Sequence, residues 1–456
     1  MHHPPSAGMV RPWNPPVGRF GRRAAPEQDA NMRDRLLLLA LGTLWLGLPG
    51  CSSTSEEDPP EEGPHYDGGP VSWHRDVLPI LQNRCQGCHT DNGVAPFSLE
   101  TYDQASGMHA ALASSIQARR MPPWMPAEGP HRFRDSRRLT QGEVDILSAW
   151  SEQGAPEGNP QDTPPPREPA PPLEWTDLTV GPAVPYTPKD TAADDYHCFL
   201  LDPHLERGRD LIGFEVMPGV KQQVHHVLLF AAPRKAALAR DAREAEPGWT
   251  CFGDSGVDNE SLLGAWAPGS PPTRYPEGTG VSVAADSVLV MQVHYNISQR
   301  STEPPQGITA SDVSAMHGEA RPDLTRMALQ FSREPVAKPA SLYALVDGDF
   351  AIPAGATGYT HHAKQYVPAG TLWGVLPHMH TKGRRITVEK GGDSLIEIPA
   401  WDFHWQQMYF YKKPLEVPLF SQLKLTCTWD NPTSRTVRWG EGTDDEMCLA
   451  YLYMTE

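Results

Sequence analysis

The stretch VLPHMHTK carries His378 and His380 two residues apart. On an extended strand, residues i and i+2 project from one face, so both imidazoles can converge on one metal ion without distorting the backbone. Taken alone, the pair reads better as two surface histidines. It does not stand alone. An adjacent doublet, His225-His226, sits in QQVHHVLLF, and His294 in MQVHYN shares a strand face with Gln292. Neighbouring residues on an ideal strand point to opposite faces, so His225 and His226 can share an ion only where the strand is bulged or twisted. Near the C-terminus, DDEMCLAYLY carries the thioether of Met447. A second doublet, His361-His362 in GYTHHAKQYV, has no matching companions, and His197, His204 and His404 read as ordinary core or surface histidines.

A different chemistry is written in NRCQGCHTD. Cys85, Cys88 and His89 have the C-x-x-C-H spacing of a c-type haem attachment site. The two thiols would form thioethers and the adjacent imidazole would ligate the iron. A zinc or redox C-x-x-C is the alternative, but no second C-x-x-C occurs. Met121, in RRMPPWMPAEG, is the favoured sixth ligand, its backbone held by the prolines that follow it. Met108 and Met125 are rivals, and simple packing is the alternative for all three. A methionine ligand raises the potential and suits an electron carrier. The module resembles the cytochrome c domains that open with W-x-x-x-V-x-P-I-L, here WHRDVLPILQNRC.

Composition bounds the elements that must carry these residues. The chain of 456 residues is long enough for roughly three domains. Its 48 prolines and 39 glycines argue for many turns and short strands and against long helices. A formal net charge of −17 without any basic stripe argues against nucleic acid as a partner, because phosphate binding needs a basic face. Met32-Arg33-Asp34-Arg35 precedes an apolar run, 36–48, that ends Leu48-Pro49-Gly50-Cys51. That run is shorter than the ~20 residues a bilayer span requires. The pattern resembles a bacterial lipoprotein signal, with Met32 as the start and Cys51 as the lipidated first residue of an exported chain anchored in the cell envelope, facing the periplasm or on the outer membrane. An ordinary secretory signal is the alternative. Either way the compartment permits disulfides. Cys198, Cys251, Cys427 and Cys448 then remain, and two structural disulfides are the economical reading.

Texture changes along the chain set the expected organisation. An extension and signal occupy 1–50 and a polar, Pro/Gly-rich tether 51–70. The haem segment runs over 71–160 as a small all-α domain. Within it LTQGEVDILSAWSEQGAP predicts a helix, with Thr140 and Glu143 in capping-box spacing, Val144, Leu147 and Trp150 on one face and Gly154 past its end. A proline-dense linker, extended in character, occupies 161–180. From there short alternating runs broken by Gly and Pro predict half-buried antiparallel strands, such as KQQVHHVLLF and SQLKLTCTW. They suggest two all-β sandwich domains in tandem, 181–335 and 336–456, divided where QFSREPVAKPAS breaks the pattern.

Five motifs in order, VHHVLLF, AWAPGSPPTRYPEGTG, MQVHYN, HMH and DEMC, resemble the copper type II, ascorbate-dependent monooxygenases, the family of the peptidylglycine α-hydroxylating and dopamine β-monooxygenases. The resemblance covers essentially all of 190–456. It implies two antiparallel jelly-roll-like domains, with His225, His226 and His294 holding an electron-transfer copper in the first. His378, His380 and Met447 would hold a second copper, where dioxygen and a small-molecule substrate meet. The implied reaction inserts an oxygen atom into an activated C–H bond, with ascorbate as donor and the second electron arriving from the distant first copper. The donor set is consistent: imidazole suits copper, a thioether favours Cu(I), and methionine is not a usual zinc ligand.

By the same resemblance Tyr451 and Gln292 match substrate-side and interdomain polar positions. Cys427–Cys448 matches a family bridge beside Met447, which leaves Cys198 to pair with Cys251. Relatives acting on peptides carry an arginine two positions before the first histidine of H-x-H. Leu376 stands there in this chain, which makes a glycine-extended peptide a doubtful substrate. The fused C-x-x-C-H segment implies a redox partner in cis, because covalent linkage raises the local concentration of an electron donor. A non-enzymatic copper and haem redox protein, or a copper-binding surface lipoprotein, is the alternative reading.

Overall fold

The structure, a computed structural model, describes residues 63–91, 93–168, 170–189, 194–251, 253–296, 320–440 and 444–456. Cys51 and the apolar run 36–48 lie outside the described residues.

Most of the described chain after residue 178 is β-sheet. The first half holds a five-stranded antiparallel sheet in the order Trp249–Thr250, Asp194–Leu201, Ser287–Asn296, Val224–Pro233, Ser261–Trp266. The second half holds a four-stranded antiparallel sheet in the order Tyr359–Tyr366, Gln422–Trp429, Gly383–Lys390, Asp393–Ile398. A nine-stranded sheet is common to both halves. Its two parts meet where Lys338–Val346 pairs in parallel with Thr279–Val283, Lys338 opposite Thr279 and Ala340 opposite Val281. The two β halves are thus joined by one continuous sheet, through a parallel pairing near the predicted boundary.

Burial explains why some strands depart from simple alternation. Tyr359–Tyr366 alternates half-buried and exposed residues, as a strand with one wet face should. Val224–Pro233 and Ser287–Asn296 are buried almost throughout. One face of each, including Val227, Leu229, Met291 and Val293, enters the core beneath the nine-stranded sheet. The other face, including Phe230, Ala232, Val288 and Val290, packs against Trp249 and the Cys198–Cys251 disulfide. Strands covered on both faces read as continuous apolar runs, and VLVM at 288–291 within the second is such a run.

The segment before the linker is helical, with Leu78–Arg84, Tyr102–Gly107, His109–Gln117 and Gln141–Glu152 around Trp73, Leu81, Leu147 and Trp150. The predicted capping box forms: Glu143 N donates to Thr140 Oγ1 at 3.3 Å, and Thr140 N donates to Glu143 Oε2 at 2.7 Å. Two features differ from expectation. Residues 63–70 lie on this helical core, where Gln153 donates to Gly69 O, so the end of the expected tether is held. Residues 124–134 leave the helices and lie along the second β half. There Phe133 bridges to Tyr411, Arg134 N donates to Phe410 O at 2.7 Å and Ala127 N to Glu397 O at 2.7 Å. Trp124 and Met125 pack into that β core. An added strand satisfies backbone groups at a sheet edge, so this strap fastens the helical segment to the β-domains.

Candidate metal centres

The first histidine group is built by two adjacent strands. Val224 pairs with Tyr295 and His226 pairs with His294, and the register slips between them. His225 is thus the extra residue of a β-bulge, which is the distortion needed to turn adjacent side chains to one side. The rings of His225, His226 and His294 lie with centroids 4.6 to 5.7 Å apart. One ligand atom from each falls within 4.8 Å of the others, and all three residues are buried.

Polar neighbours define which nitrogen of His294 faces inward. His294 Nε2 donates to Asp194 Oδ1 at 2.8 Å, so Nδ1 carries the lone pair. That Nδ1 stands 3.1 Å from His226 Nδ1. Two imidazole nitrogens bound to one tetrahedral ion at about 2.0 Å each would be ~3.3 Å apart. His225 Nδ1 is buried without a hydrogen-bond partner. Burial pushes the His225 imidazole down to about 2, holds His226 well below its usual range, and lowers His294 against the opposing pull of Asp194. Three buried, desolvated imidazoles clustered in this way fit a metal ion.

The second group is assembled differently. His378 ends the strand Gly370–His378, and His380 lies beyond it, so the i, i+2 strand geometry is corrected at its second member. The rings still meet, with centroids 5.2 Å apart at 84°. His378 Nδ1 donates to Gln406 Oε1 at 2.5 Å, while Gln406 Nε2 donates to Phe403 O at 2.9 Å and fixes the amide. His378 Nε2 then carries a lone pair, and it is buried without a partner. His380 Nδ1 donates to Asp445 O at 3.2 Å, which fixes the same tautomer. Burial pushes the His378 imidazole down to about 4.

Met447 lies in the residues that lead into the neighbouring strand, Leu449–Thr455. It lies two residues ahead of Leu449, the cross-strand partner of His378. It is buried at 6 % exposure, and its Cε is 3.5 Å from where a Cβ on Gly253 would stand. Glu446 anchors the turn: its carboxylate accepts from His380 N at 3.0 Å, Lys382 N at 2.6 Å and Trp429 Nε1 at 3.0 Å. Desolvation pushes that carboxyl up to about 7. The Cys427–Cys448 disulfide ties the residue after Met447 to the four-stranded sheet. Tyr451 stands opposite Leu376, two residues from His378, so its side chain shares that histidine's face. Gln292 is buried and donates to Asp254 O at 2.7 Å and to Cys251 Sγ at 3.6 Å, beside the Cys198–Cys251 disulfide.

Residues 401–407 connect these groups, and little in the sequence marked them. The Phe403 ring lies 6.4 Å from His226, 6.0 Å from His294 and 6.2 Å from His380. Phe403 thus lies near rings of both histidine groups. His404, read above as ordinary, has its ring 5.0 Å from that of His225. His197 is a core residue stacked on Tyr186 at 4.0 Å, and His361 is paired with Asp347 at 2.7 Å.

In the helical segment Cys85 and Cys88 are free thiols. Burial pushes the Cys85 thiol up to about 12 and raises Cys88 as well. His89 Nδ1 donates to Phe97 O at 3.0 Å, so Nε2 carries the lone pair. Of the three methionines, Met108 packs in the helical core and Met125 Sδ accepts from Asp402 N at 3.3 Å in the second β half. Met121 is left 39 % exposed at the end of the helices. Cys88 faces the first β half: a Cβ on Gly269 would stand 2.5 Å from its Sγ, and Gly269 has a φ of +76°. Between the two, Arg137 donates to Pro268 O at 3.4 Å and to Gln407 Oε1 at 3.0 Å.

Comparison with known proteins agrees with this geometry. Residues 183–302 match the N-terminal domain of the copper type II ascorbate-dependent monooxygenases, and residues 360–455 match their C-terminal domain. The peptidyl-glycine alpha-amidating monooxygenase of Mus musculus is 26% identical over 297 residues, 62% of this chain and 27% of that protein. The enzyme of Rattus norvegicus is 26% identical over 302 residues, with the same coverage of 62% and 27%. Form A of Xenopus laevis is 24% identical over 237 residues, 50% of this chain and 23% of that protein. The chain thus spans about a quarter of the length of these relatives. The two matched stretches correspond to the N-terminal and C-terminal domains of the copper type II, ascorbate-dependent monooxygenases, a family of oxidoreductases.

Proposed function

We propose that the protein hydroxylates an activated C–H bond of a small molecule with dioxygen, using two copper ions. His225, His226 and His294 would hold the electron-transfer ion, and His378, His380 and Met447 the ion at which oxygen and substrate meet. Copper would supply the one-electron chemistry; the chain supplies the setting. Asp194, Gln406 and Asp445 O orient imidazoles so that lone pairs face inward. Burial keeps the rings neutral and excludes water. The observation that carries the reading is the bulge at His225, because it turns two adjacent histidines toward His294 and has no role in an ordinary strand.

The substrate side bears on specificity. Leu376 is buried at 3 % exposure, with Tyr451 across from it, so no cation stands where peptide-acting relatives hold a carboxylate. An uncharged or weakly polar substrate fits that face better than a peptide carboxylate.

Electrons would come from ascorbate or through haem c held by Cys85, Cys88 and His89, with Met121 as the sixth ligand. Three observations support the haem route. The two thiols are reduced while the other four described cysteines are paired. His89 is oriented through Nδ1. Arg137, beside Cys88, has a buried Nε without a partner and no ion pair among the described residues, as a guanidinium awaiting an anionic group such as a haem propionate would. The strap at 124–134 supports direct delivery to the β-domains. Export and a lipid anchor at Cys51 complete the reading.

Full-length protein reconstituted with copper tests it. Oxygen uptake matched by hydroxylated product, lost on chelation and in Met447→Ala, is the expected result. Bound copper without product across a substrate screen would favour the non-enzymatic alternative. Covalent haem on the purified chain, and haem oxidation that keeps pace with turnover, would establish the second donor. A 175–456 fragment turning over equally well with the same donor would remove it.

A further inference from the structure

We propose that His404, supplied by the C-terminal domain, is a fourth ligand to the ion held by His225, His226 and His294; this inference rests on the copper reading above. The His404 ring stands 5.0 Å from His225, within the 4.6 to 5.7 Å spacing of the three rings themselves, and meets it edge-on at 80°. Its tautomer is set in the same way as that of His294. Asp402 Oδ1 accepts from both His404 N and His404 Nδ1 at 2.9 Å, so Nε2 carries the lone pair. This carboxylate on one nitrogen repeats the Asp194–His294 arrangement.

The segment bearing His404 is held from both ends. Trp401 N donates to Arg384 O at 2.8 Å and Trp401 Nε1 to His380 O at 3.1 Å. On the other side Gln406 is bonded to His378 and Gln407 to Arg137. Trp405 flanks the same histidine, its ring 6.4 Å from that of His225. The three other ligand atoms already cluster without His404, which would close on the ion from outside, its side chain 49% exposed.

The chemistry gives the fourth ligand a purpose. An ion with three imidazoles keeps an open position for oxygen or solvent, whereas four ligands close a tetrahedral site. Closing the first site would confine oxygen to the second, where Met447 completes a set of three. It would also make the first ion a link between the two β halves.

The test is a copper competition titration on the full chain, combined with pulsed EPR of the Cu(II) form and hydrogen exchange over 401–407. His404 is partly exposed and lies outside both cores, so His404→Ala should fold. The inference expects this variant to weaken one of the two ions about tenfold, the size usual for loss of a supporting metal contact. It should lose one imidazole coupling from that ion and the copper-dependent exchange protection of 401–407. Met447→Ala should weaken only the other ion. Unchanged affinity, couplings and protection in His404→Ala would overturn the inference while leaving the copper reading intact. Failure of the unaltered protein to bind copper at the histidine triad would overturn both.

Discussion

The two histidine groups reach similar chemistry by opposite routes. The first is made inside one sheet: three imidazoles from two hydrogen-bonded strands, with a single bulge to align them. The second is proposed at a strand end, where two histidines are held by Gln406 and Asp445 O and the turn bearing Met447 is pinned by Glu446 and a disulfide. A sheet supplies rigidity through its ladder, so few outside groups are needed there. A strand end has no ladder, so polar partners and a covalent bond take over its work. The first site should tolerate loss of outer partners poorly only at Asp194, whereas the second depends on several.

The sharpest break in this comparison comes from the ligands. Met447→Ala should lower product formation at least about 100-fold while copper remains at the first site, measured by turnover and metal content together. Next is the disulfide at the second site. Replacing Cys427 and Cys448 by serine opens a loop of 21 residues and should lower unfolding stability by about 3 kcal/mol in denaturant titrations. The same variant should weaken the second copper more than the first.

Outer partners come after these. Gln406→Ala should weaken the second ion about tenfold and leave the first unchanged, and Asp194→Ala should do the reverse. A chelator titration of each variant checks the reciprocity, and equal losses at both sites would dissolve the distinction. The smallest effect per step is on pH. His225, His226 and His378 have pKa values held below the ordinary 6.5 by burial, so in the copper-free protein the unfolded chain binds more protons than the folded one below that pH. Stability should be fully present above pH 6.5 and fall as pH is lowered, by up to about 1.4 kcal/mol per group for each pH unit. A stability profile flat between pH 6.5 and 5 would mean that these rings are not buried neutral.

Much of the β architecture could be read ahead of the structure because its cause is local. Alternation in 359–366 and 422–429 follows from one wet face and one dry face. The helix 141–152 follows from its capping box and apolar stripe. Strands covered on both faces lose that alternation, and the shared nine-stranded sheet leaves no local mark, since the parallel pairing of 338–340 with 279–281 joins residues far apart in the chain. The bulge at His225 could be stated as a requirement. The loop 401–407 could not be anticipated, because Phe403, His404 and Gln406 gain their roles only from what the fold sets beside them.

Donor chemistry, then, was a property of composition and order: six copper-seeking side chains, a C-x-x-C-H motif and four cysteines able to pair. Distances, tautomers and separation between centres belonged to the tertiary structure alone. An imidazole's coordinating nitrogen depends on which acceptor takes the other one, and Asp194, Gln406 and Asp445 O come to their histidines from 100, 28 and 65 positions away in the chain.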